Sequence, residues 1–244
     1  MSVINKLFKS KYPQHPFCTA VIVAAGSSQR MGADKILMEL GEMPVIARTL
    51  LAFQHCVCID EIVVVTRRES IERVADICHE YGILKTSRVV CGGDNRVGSA
   101  LIGVSNADPK ADLIAIHDGA RPFVSSQLIE STVRDAVHSR ASAPAIRAHD
   151  TVRILNAKNA VVSVPDRDRV ALIQTPQVFD ADLIKGALTK AFEKQLPITD
   201  DCSAVEAMGF KVSIVDGEED NIKLTTAHDL YIAQGIISKR GETV

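Results

Sequence analysis

The stretch Cys18–Ala25 reads CTAVIVAA, and the loop sequence GSSQRMGADK follows it directly at residues 26–35. The first part is almost continuously apolar, which is typical of a strand in a parallel sheet covered by helices on both faces. The second part is small and polar and contains Gly26, Arg30 and Lys35. A buried strand that ends in such a loop predicts an α/β fold with a ligand site at that end of the sheet.

Apolar strand runs and helical patterns alternate along the rest of the chain, which indicates βαβ units and a parallel sheet. Further strands are predicted at EIVVVT from Glu61, SRVVCGG from Ser87, DLIAIHD from Asp112, the segment 143–148, and KVSIV from Lys211. We therefore expect a three-layer α/β/α sandwich around a mostly parallel, twisted sheet.

The segment from His149 to Val178 interrupts this alternation, because it is polar, contains short β-forming runs and has no helical pattern. We predict that residues of about 149–172 form an arm that projects from the domain. With no internal repeat and no linker rich in Gly, Pro and Ser, a single domain is expected over residues 1–244, with a basic tail at 1–16.

The composition is that of an ordinary globular protein, with 46% hydrophobic and 24% charged residues in a chain of 244. A formal net charge of −2 gives no bulk attraction to nucleic acid or to an anionic membrane, so neither is an expected partner. The amino-terminal sequence has no apolar segment long enough for secretion or membrane spanning, which predicts a cytoplasmic location. The six cysteines form no C-x-x-C pair, and we expect buried free thiols.

Four loops that follow strands carry the candidate functional residues, because ligands of an open parallel sheet bind beyond the carboxyl ends of its strands. In the first loop, small residues and Gly26 let backbone N–H groups approach an anion, while Arg30 and Lys35 add positive charge. The loop matches neither G-x-x-x-x-G-K-[ST] nor G-x-G-x-x-G, which disfavours a P-loop NTPase or a dinucleotide-binding protein. A flexible surface loop with solvated cations is the alternative.

The second and third loops suggest a flat ligand and a metal ion. The two glycines of GGDNRVGS at 92–99 permit a tight turn and close approach to a base, although a plain turn with a solvated Arg96 fits equally well. In HDGARP at 117–122, Asp118 ends a buried strand and suits a hard metal ion that bridges phosphates. A capping Asp118 paired with Arg121 is the alternative.

The fourth loop, EEDNIKLT at 218–225, places Asp220 and Lys223 just before the last predicted helix. An acid and a base three residues apart also fit a solvated turn. Thr199 and the two acids after it are similarly ambiguous, because an N-cap threonine with acids in the first helical turn is ordinary dipole complementation.

Taken together, these loops resemble the 2-C-methyl-D-erythritol 4-phosphate cytidylyltransferase family, which serves the third step of the non-mevalonate isoprenoid route. The resemblance spans nearly the whole chain and includes HDTVR at 149–153, DRDRVALIQTPQVF at 166–179 and ITDDCSAVE at 198–206, all in the family's order. It implies a Rossmann-like fold of the nucleotide-diphospho-sugar transferase type. The chain departs from the usual family pattern beside Lys35, which Asp34 precedes.

The resemblance also implies a reaction and a set of site residues. A cytidylyl group would pass from CTP to 2-C-methyl-D-erythritol 4-phosphate with release of pyrophosphate. CTP would be surrounded by Ala24, Ala25, Gly26, Gly93, Asp94, Ser99 and Gly119. The transition state would be stabilised by Arg30 and Lys35. The acceptor would be bound by Asp118, Arg121, Thr151, Thr175 and Thr199, and its phosphate positioned by Arg167 and Lys223. Mg²⁺ or another divalent cation would lie near Asp118 and Asp220.

In this family the arm exchanges between subunits, so the resemblance implies a homodimer in which Arg167 acts in the partner's site. Cytidylyl transfer of this kind requires mainly positioning and charge neutralisation, because the acceptor phosphate is already a nucleophile. Three alternatives remain at this point: a cytidylyltransferase for ribitol 5-phosphate or another polyol phosphate, a transferase that charges sugar 1-phosphates with UTP or dTTP, and a non-catalytic nucleotide-binding regulator.

Overall fold

The computed structural model of the chain describes residues 12–13, 15–26 and 35–241. Arg30 and most of the expected basic tail therefore lie outside the described residues. The strands are β1 (Cys18–Val23), β2 (Glu39–Leu40), β3 (Met43–Pro44), β4 (Glu61–Thr66), β5 (Thr86–Cys91), β6 (Leu113–Asp118), β7 (Ala141–Arg147), β8 (Ile154–Leu155), β9 (Val161–Ser163), β10 (Ala171–Ile173), β11 (Gln177–Asp180) and β12 (Ser213–Asp216). The α-helices are α1 (Val45–His55), α2 (Ile71–Glu80), α3 (Arg96–Ser105), α4 (Ser126–Ser139), α5 (Ala181–Glu193), α6 (Asp201–Glu206) and α7 (Ala227–Lys239).

Within the described residues, the main sheet has eight strands and is mostly parallel, as expected. Its path is β10-β7-β11-β6-β1-β4-β5, and β12 pairs with β7. Strand β1 is parallel to β4 and β6, and β4 is parallel to β5. Strand β11 runs antiparallel to both β6 and β7, so β7 and its parallel neighbour β12 point the same way as β6. The carboxyl ends of β1, β4, β5, β6, β7 and β12 thus share one edge.

Alternate residues of the central strands pack into two separate cores, which makes the fold the expected three-layer sandwich. Ala20 and Ile22 of β1 pack on one face in a core with residues of α1, α2 and α4. Val21 of the same strand packs on the other face with residues of α3, α5 and α6. All six residues of β4 are buried, in agreement with an apolar strand covered on both sides.

The segment after β7 interrupts the alternation of strands and helices in the structure as well. Strands β8 and β9 pair only with each other in a small antiparallel sheet, and both are exposed. Strand β10, by contrast, pairs with β7, so the main sheet takes up the last residues of the range 149–172. The segment between β7 and β10, which we call the arm, therefore leaves the sheet at one point and returns to it beside the same strand.

No helix in the described part of the chain is both long and apolar enough to cross a bilayer. All six cysteines are free thiols, of which Cys18, Cys56, Cys78 and Cys202 are buried. The structure thus confirms the expectation of free thiols and their burial at four positions.

Candidate functional site

A cleft of about 400 Å³ opens at the carboxyl edge of the sheet. It receives residues from all four loops that the sequence singles out. Its lining residues are Val23, Ala24, Ala25, Gly26, Lys35, Ile36, Gly93, Asp94, Asn95, Arg96, Ser99, Asp118, Ala120 and Lys223. The position of the cleft follows from the strand directions, because parallel strands bring their following loops to one edge.

The first two loops approach each other closely on one side of the cleft. Backbone hydrogen bonds join Ala24 N–H to the carbonyl of Val65 and Gly92 N–H to the carbonyl of Thr66, so both loops begin beside the carboxyl end of β4. A Cβ atom added at Gly92 would lie 2.5 Å from the Cβ atom of Ala25, which is closer than carbon atoms can approach. Glycine at position 92 is therefore required for this contact.

The start of α3 shapes the same wall. The side chain of Asn95 caps the helix by accepting a hydrogen bond from Gly98 N–H at 2.8 Å. The buried hydroxyl of Ser99 bonds to the backbone of Gly93, accepting from its N–H at 3.1 Å. A flat ligand in this part of the cleft would meet backbone and small side chains held in place by the helix cap.

Asp118 ends β6 at the floor of the cleft and is surrounded by cations. Its Oδ2 atom lies 2.8 Å from Lys223 Nζ and 3.7 Å from Arg121 Nε, and its Oδ1 atom lies 3.9 Å from Arg96 Nη2. Burial alone would raise the pKa of Asp118, but Lys223, Arg96 and Arg121 together lower it to about 2. The carboxylate is thus ionised under all physiological conditions.

Arg96 is held in an ion pair although its side chain is 30% exposed, which disfavours the freely solvated arginine of one of the two alternatives that its sequence context left open. Both of its terminal nitrogens donate to the carboxylate of Asp201, at 2.9 and 2.6 Å, and Asp201 is fully buried. Burial raises the pKa of Asp201 and Arg96 opposes that rise. A bidentate pair of this kind fixes the guanidinium plane as well as its position.

A buried histidine supports Asp118 from below. The carbonyl of Arg121 lies 3.2 Å from His117 Nε2 and can only accept, so Nε2 carries the proton. His117 Nδ1 then accepts from the hydroxyl of Thr175 at 3.0 Å, and that hydroxyl accepts from Asp118 N–H at 3.1 Å. Burial lowers the pKa of His117 to about 3, so the ring is neutral.

The fourth loop is attached to the sheet through Asn221, two residues before Lys223. The buried side chain of Asn221 donates to the carbonyl of Thr175 at 2.9 Å and to Gln174 Oε1 at 3.2 Å. The backbone carbonyl of Asn221 accepts a hydrogen bond from Arg121 Nη1 at 2.7 Å. These bonds fix the segment that carries Lys223 to the cleft.

Several predicted site residues lie away from the cleft lining. Gly119 is buried beneath it and donates its N–H to the carbonyl of Val23. Asp220 pairs with Lys239 of α7 at 3.2 Å. Thr199 is exposed just before α6. Thr151 and Arg167 are exposed in the arm, where Arg167 Nη1 donates to the carbonyl of His149 at 3.1 Å.

The donor set of the cleft fits a magnesium ion that is held mainly by a phosphorylated ligand. No group of three or more His, Cys, Asp or Glu side chains is arranged for a metal among the described residues. Mg²⁺ typically takes one or two carboxylates and completes its shell with phosphate oxygens and water. Asp118 supplies an ionised carboxylate at the cleft, and its Oδ1 atom lies 3.9 Å from Arg96 Nη2, beyond hydrogen-bond distance.

Sequence reasoning missed Arg96, His117, Gln174 and Asn221 as parts of this site. Gln174 and Asn221 lie next to predicted site residues, but an amide in a polar loop carries no signal of burial. Asp201 partners Arg96 across 105 residues, which local spacing cannot show.

Comparisons with known proteins agree on one family. The family model for 2-C-methyl-D-erythritol 4-phosphate cytidylyltransferase matches residues 18–239. A protein of that name from Caldanaerobacter subterraneus subsp. tengcongensis is 38% identical over 224 residues, which cover 91% of this chain and 99% of that protein. Its counterpart from Alkaliphilus oremlandii is 37% identical, with 92% and 96% covered.

Solved structures give the same result. The crystal structure of a 4-diphosphocytidyl-2C-methyl-D-erythritol synthase from Anaerococcus prevotii matches with a TM-score of 0.83 and 34% identity, covering 92% of this chain and 97% of that one. A 2-C-methyl-D-erythritol 4-phosphate cytidylyltransferase from Thermus thermophilus matches with a TM-score of 0.74 and 28% identity, covering 89% and 98%.

Proposed function

Because this chain belongs to the 2-C-methyl-D-erythritol 4-phosphate cytidylyltransferase family, we propose that it transfers the cytidylyl group of CTP to 2-C-methyl-D-erythritol 4-phosphate and releases pyrophosphate. The observation that carries the proposal is the meeting of Lys35, Asp118 and Lys223 in one cleft with the glycine-rich loop at 92–99. The enzyme would act in the cytoplasm on two small phosphorylated molecules.

The nucleotide occupies the side of the cleft formed by the first two loops. The base lies against the loop at Gly93, Asp94 and Ser99, where the backbone is fixed by the cap of α3. The triphosphate follows the first loop at Ala24, Ala25 and Gly26, where the exposed Gly26 lets the backbone approach an anion. Gly119 supports this surface from below, packed against Ala24.

Positive charge at the reacting phosphorus comes from Lys35, and from Arg30, which lies outside the described residues. The acceptor phosphate attacks the α-phosphorus of CTP in line, a P–O bond forms, and the bond to the pyrophosphate leaving group breaks. Lys35 and Arg30 meet the charge that develops on the α-phosphate oxygens. No general base is required, because the acceptor phosphate is already ionised.

The cationic side chains around Asp118 bind the acceptor. Lys223 of the fourth loop lines the cleft and pairs with Asp118, and Arg121 is fixed by Asn221 and Asp118. The hydroxyl of Thr175 is already bonded to His117 and Asp118, so Thr175 contributes by holding Asp118. Thr199 lies before α6 and would contact the acceptor from that side.

A divalent cation such as Mg²⁺ would be held by Asp118 together with phosphate oxygens of CTP, and it would neutralise phosphate charge there. Asp220 does not line the cleft, and its carboxylate pairs with Lys239. Asp220 would therefore have to release Lys239 before it could bind the cation. Asp118 has a second task that does not depend on the cation, since it orients Lys223 at 2.8 Å.

A pyrophosphate-release assay tests the proposed reaction. Purified protein is given CTP and Mg²⁺ with either 2-C-methyl-D-erythritol 4-phosphate or ribitol 5-phosphate. We expect turnover with the first acceptor and much slower turnover with the second. Preference for ribitol 5-phosphate would assign the chain to the alternative acceptor class, and CTP binding without turnover on any acceptor would make it a regulator.

The arm supports a homodimer with arm exchange. Five of its apolar side chains, Ile154, Leu155, Val161, Val162 and Val164, are each 48% to 58% exposed. A cluster of this kind on a thin hairpin is an unfavourable surface for a monomer and suits burial against a second copy of the chain. Thr151 and Arg167 of the arm would then reach the partner's acceptor site.

Mixing two inactive variants tests the exchange. With Lys35→Ala and Arg167→Ala coexpressed, each mixed dimer would contain one intact site if Arg167 acts in the partner's cleft, so random pairing restores about a quarter of wild-type activity. If Arg167 acts in its own subunit, every site carries one defect and no activity returns. Each variant expressed alone is the control, and a monomer in sedimentation would contradict the proposal outright.

A further inference from the structure

The pair of Arg96 and Asp201 joins the two sides of the cleft. Arg96 begins α3, directly after the loop at 92–95 on the nucleotide side, and Asp201 begins α6, directly after Thr199 and Asp200. Their bidentate contact, at 2.9 and 2.6 Å, crosses from one side to the other.

The same guanidinium group also faces the floor of the cleft. Arg96 Nη2 lies 3.9 Å from Asp118 Oδ1, while Lys223 and Arg121 face Asp118 Oδ2. The carboxylate of Asp118 thus has positive charge beside both oxygens, and among the described ion pairs Arg96 is the one at Oδ1. Removing Arg96 would therefore weaken the orientation of the carboxylate on that side.

We infer that Arg96, held by Asp201, is a positioning residue for cytidylyl transfer, which orients Asp118 and fixes the α6 end of the acceptor site relative to the nucleotide loop. This inference rests on the proposed function. It predicts an effect on turnover and on acceptor use rather than on CTP affinity, because the nucleotide wall is fixed independently by Asn95 and Ser99.

Substitution of Arg96 alone would leave Asp201 buried without a partner, so a loss of activity could reflect unfolding. The informative variant is Arg96→Met/Asp201→Leu, because replacing a buried ion pair by apolar residues of similar volume is often neutral for stability. We expect it to fold with a melting temperature within about 5 °C of wild type. We expect kcat to fall at least ~10-fold and the acceptor KM to rise, with the Kd for CTP changed less than ~3-fold.

A second variant decides the question if the double variant does not fold. Arg96→Lys keeps the charge beside Asp201 but loses the bidentate geometry, and it should show the same split between turnover and CTP affinity in milder form. The exposed pair of Arg73 and Glu80 on α2, 3.1 Å apart, provides the matched control Arg73→Met/Glu80→Leu, for which wild-type kinetics are expected.

The outcomes separate this inference from the proposed function. Failure of the wild-type protein to use 2-C-methyl-D-erythritol 4-phosphate removes the proposed function. An active wild type together with a folded double variant of unchanged kcat and acceptor KM shows that the pair is only structural and overturns the inference. Unchanged kinetics of Arg96→Lys, when the double variant does not fold, overturns it equally.

Discussion

Asp118→Asn is expected to lower kcat by about 10²- to 10³-fold, the effect of removing one electrostatic group aimed at a reacting centre. The amide has the same shape and leaves the bond from the backbone N–H of residue 118 to Thr175 intact. It removes the negative charge that orients Lys223 at 2.8 Å and the hard oxygen ligand for a divalent cation. The measurement is steady-state pyrophosphate release across a range of Mg²⁺ concentrations.

Asp118→Asn should also be less stable, because Lys223 and Arg121 lose their anion. A charged hydrogen bond contributes about 1.5 to 3 kcal/mol, which sets the expected decrease in the free energy of unfolding. The control is Asp112→Asn beside the opposite end of β6, where the Asp112 side chain accepts from Phe17 N–H at 2.9 Å and an amide oxygen can do the same. Equal kinetics of the two variants would remove Asp118 from the mechanism.

Lys35→Ala is expected to lower kcat at least ~100-fold, which corresponds to a loss of about 2.7 to 4 kcal/mol of transition-state stabilisation. Lys35 lines the same cleft as Gly26 of the first loop, along which the phosphates of the nucleotide would lie. A loss confined to the transition state should leave the KM for the acceptor nearly unchanged. Single-turnover kinetics at saturating CTP measure the chemical step directly.

Thermal melting of Lys35→Ala should match that of the wild type, because the side chain is partly exposed. Lys110→Ala, at an exposed position before β6, is the matched control with unchanged kinetics. Near-normal turnover of the Lys35 variant would show that the lysine of this loop, although it lines the cleft, does not act at the α-phosphorus.

Local patterns predicted the alternating α/β part of the architecture, but not the antiparallel β11 between β6 and β7. The apolar run of β1 predicts burial on both faces, and the successive residues Val21 and Ile22 do pack into different cores. The change of pattern after His149 predicts a segment outside the main alternation, where the exposed β8 and β9 lie. Such expectations can be drawn from the sequence because burial and strand formation depend on residues that are neighbours along the chain.

The glycine-rich loops and the position of the cleft could also be predicted from the sequence. Parallel strands bring their following loops to one edge, so the order of elements already places Gly26, Gly93, Asp118 and Lys223 together. The resemblance to one family added residue roles that the patterns alone leave open, above all those of Thr151 and Arg167 in the arm.

The electrostatics of the site were decided only by the tertiary structure. Arg96 in its loop looks like any solvated arginine, and its buried partner Asp201 reads as an ordinary acid in the first turn of a helix. Asp220 reads as a cleft residue beside Lys223, yet it pairs with Lys239. Charge interactions act through space and depend on burial, and neither distance nor burial between segments far apart in the chain is contained in a local pattern. The sequence by itself therefore determined which loops form the cleft, and the packing of the sheet determined which charges inside it meet.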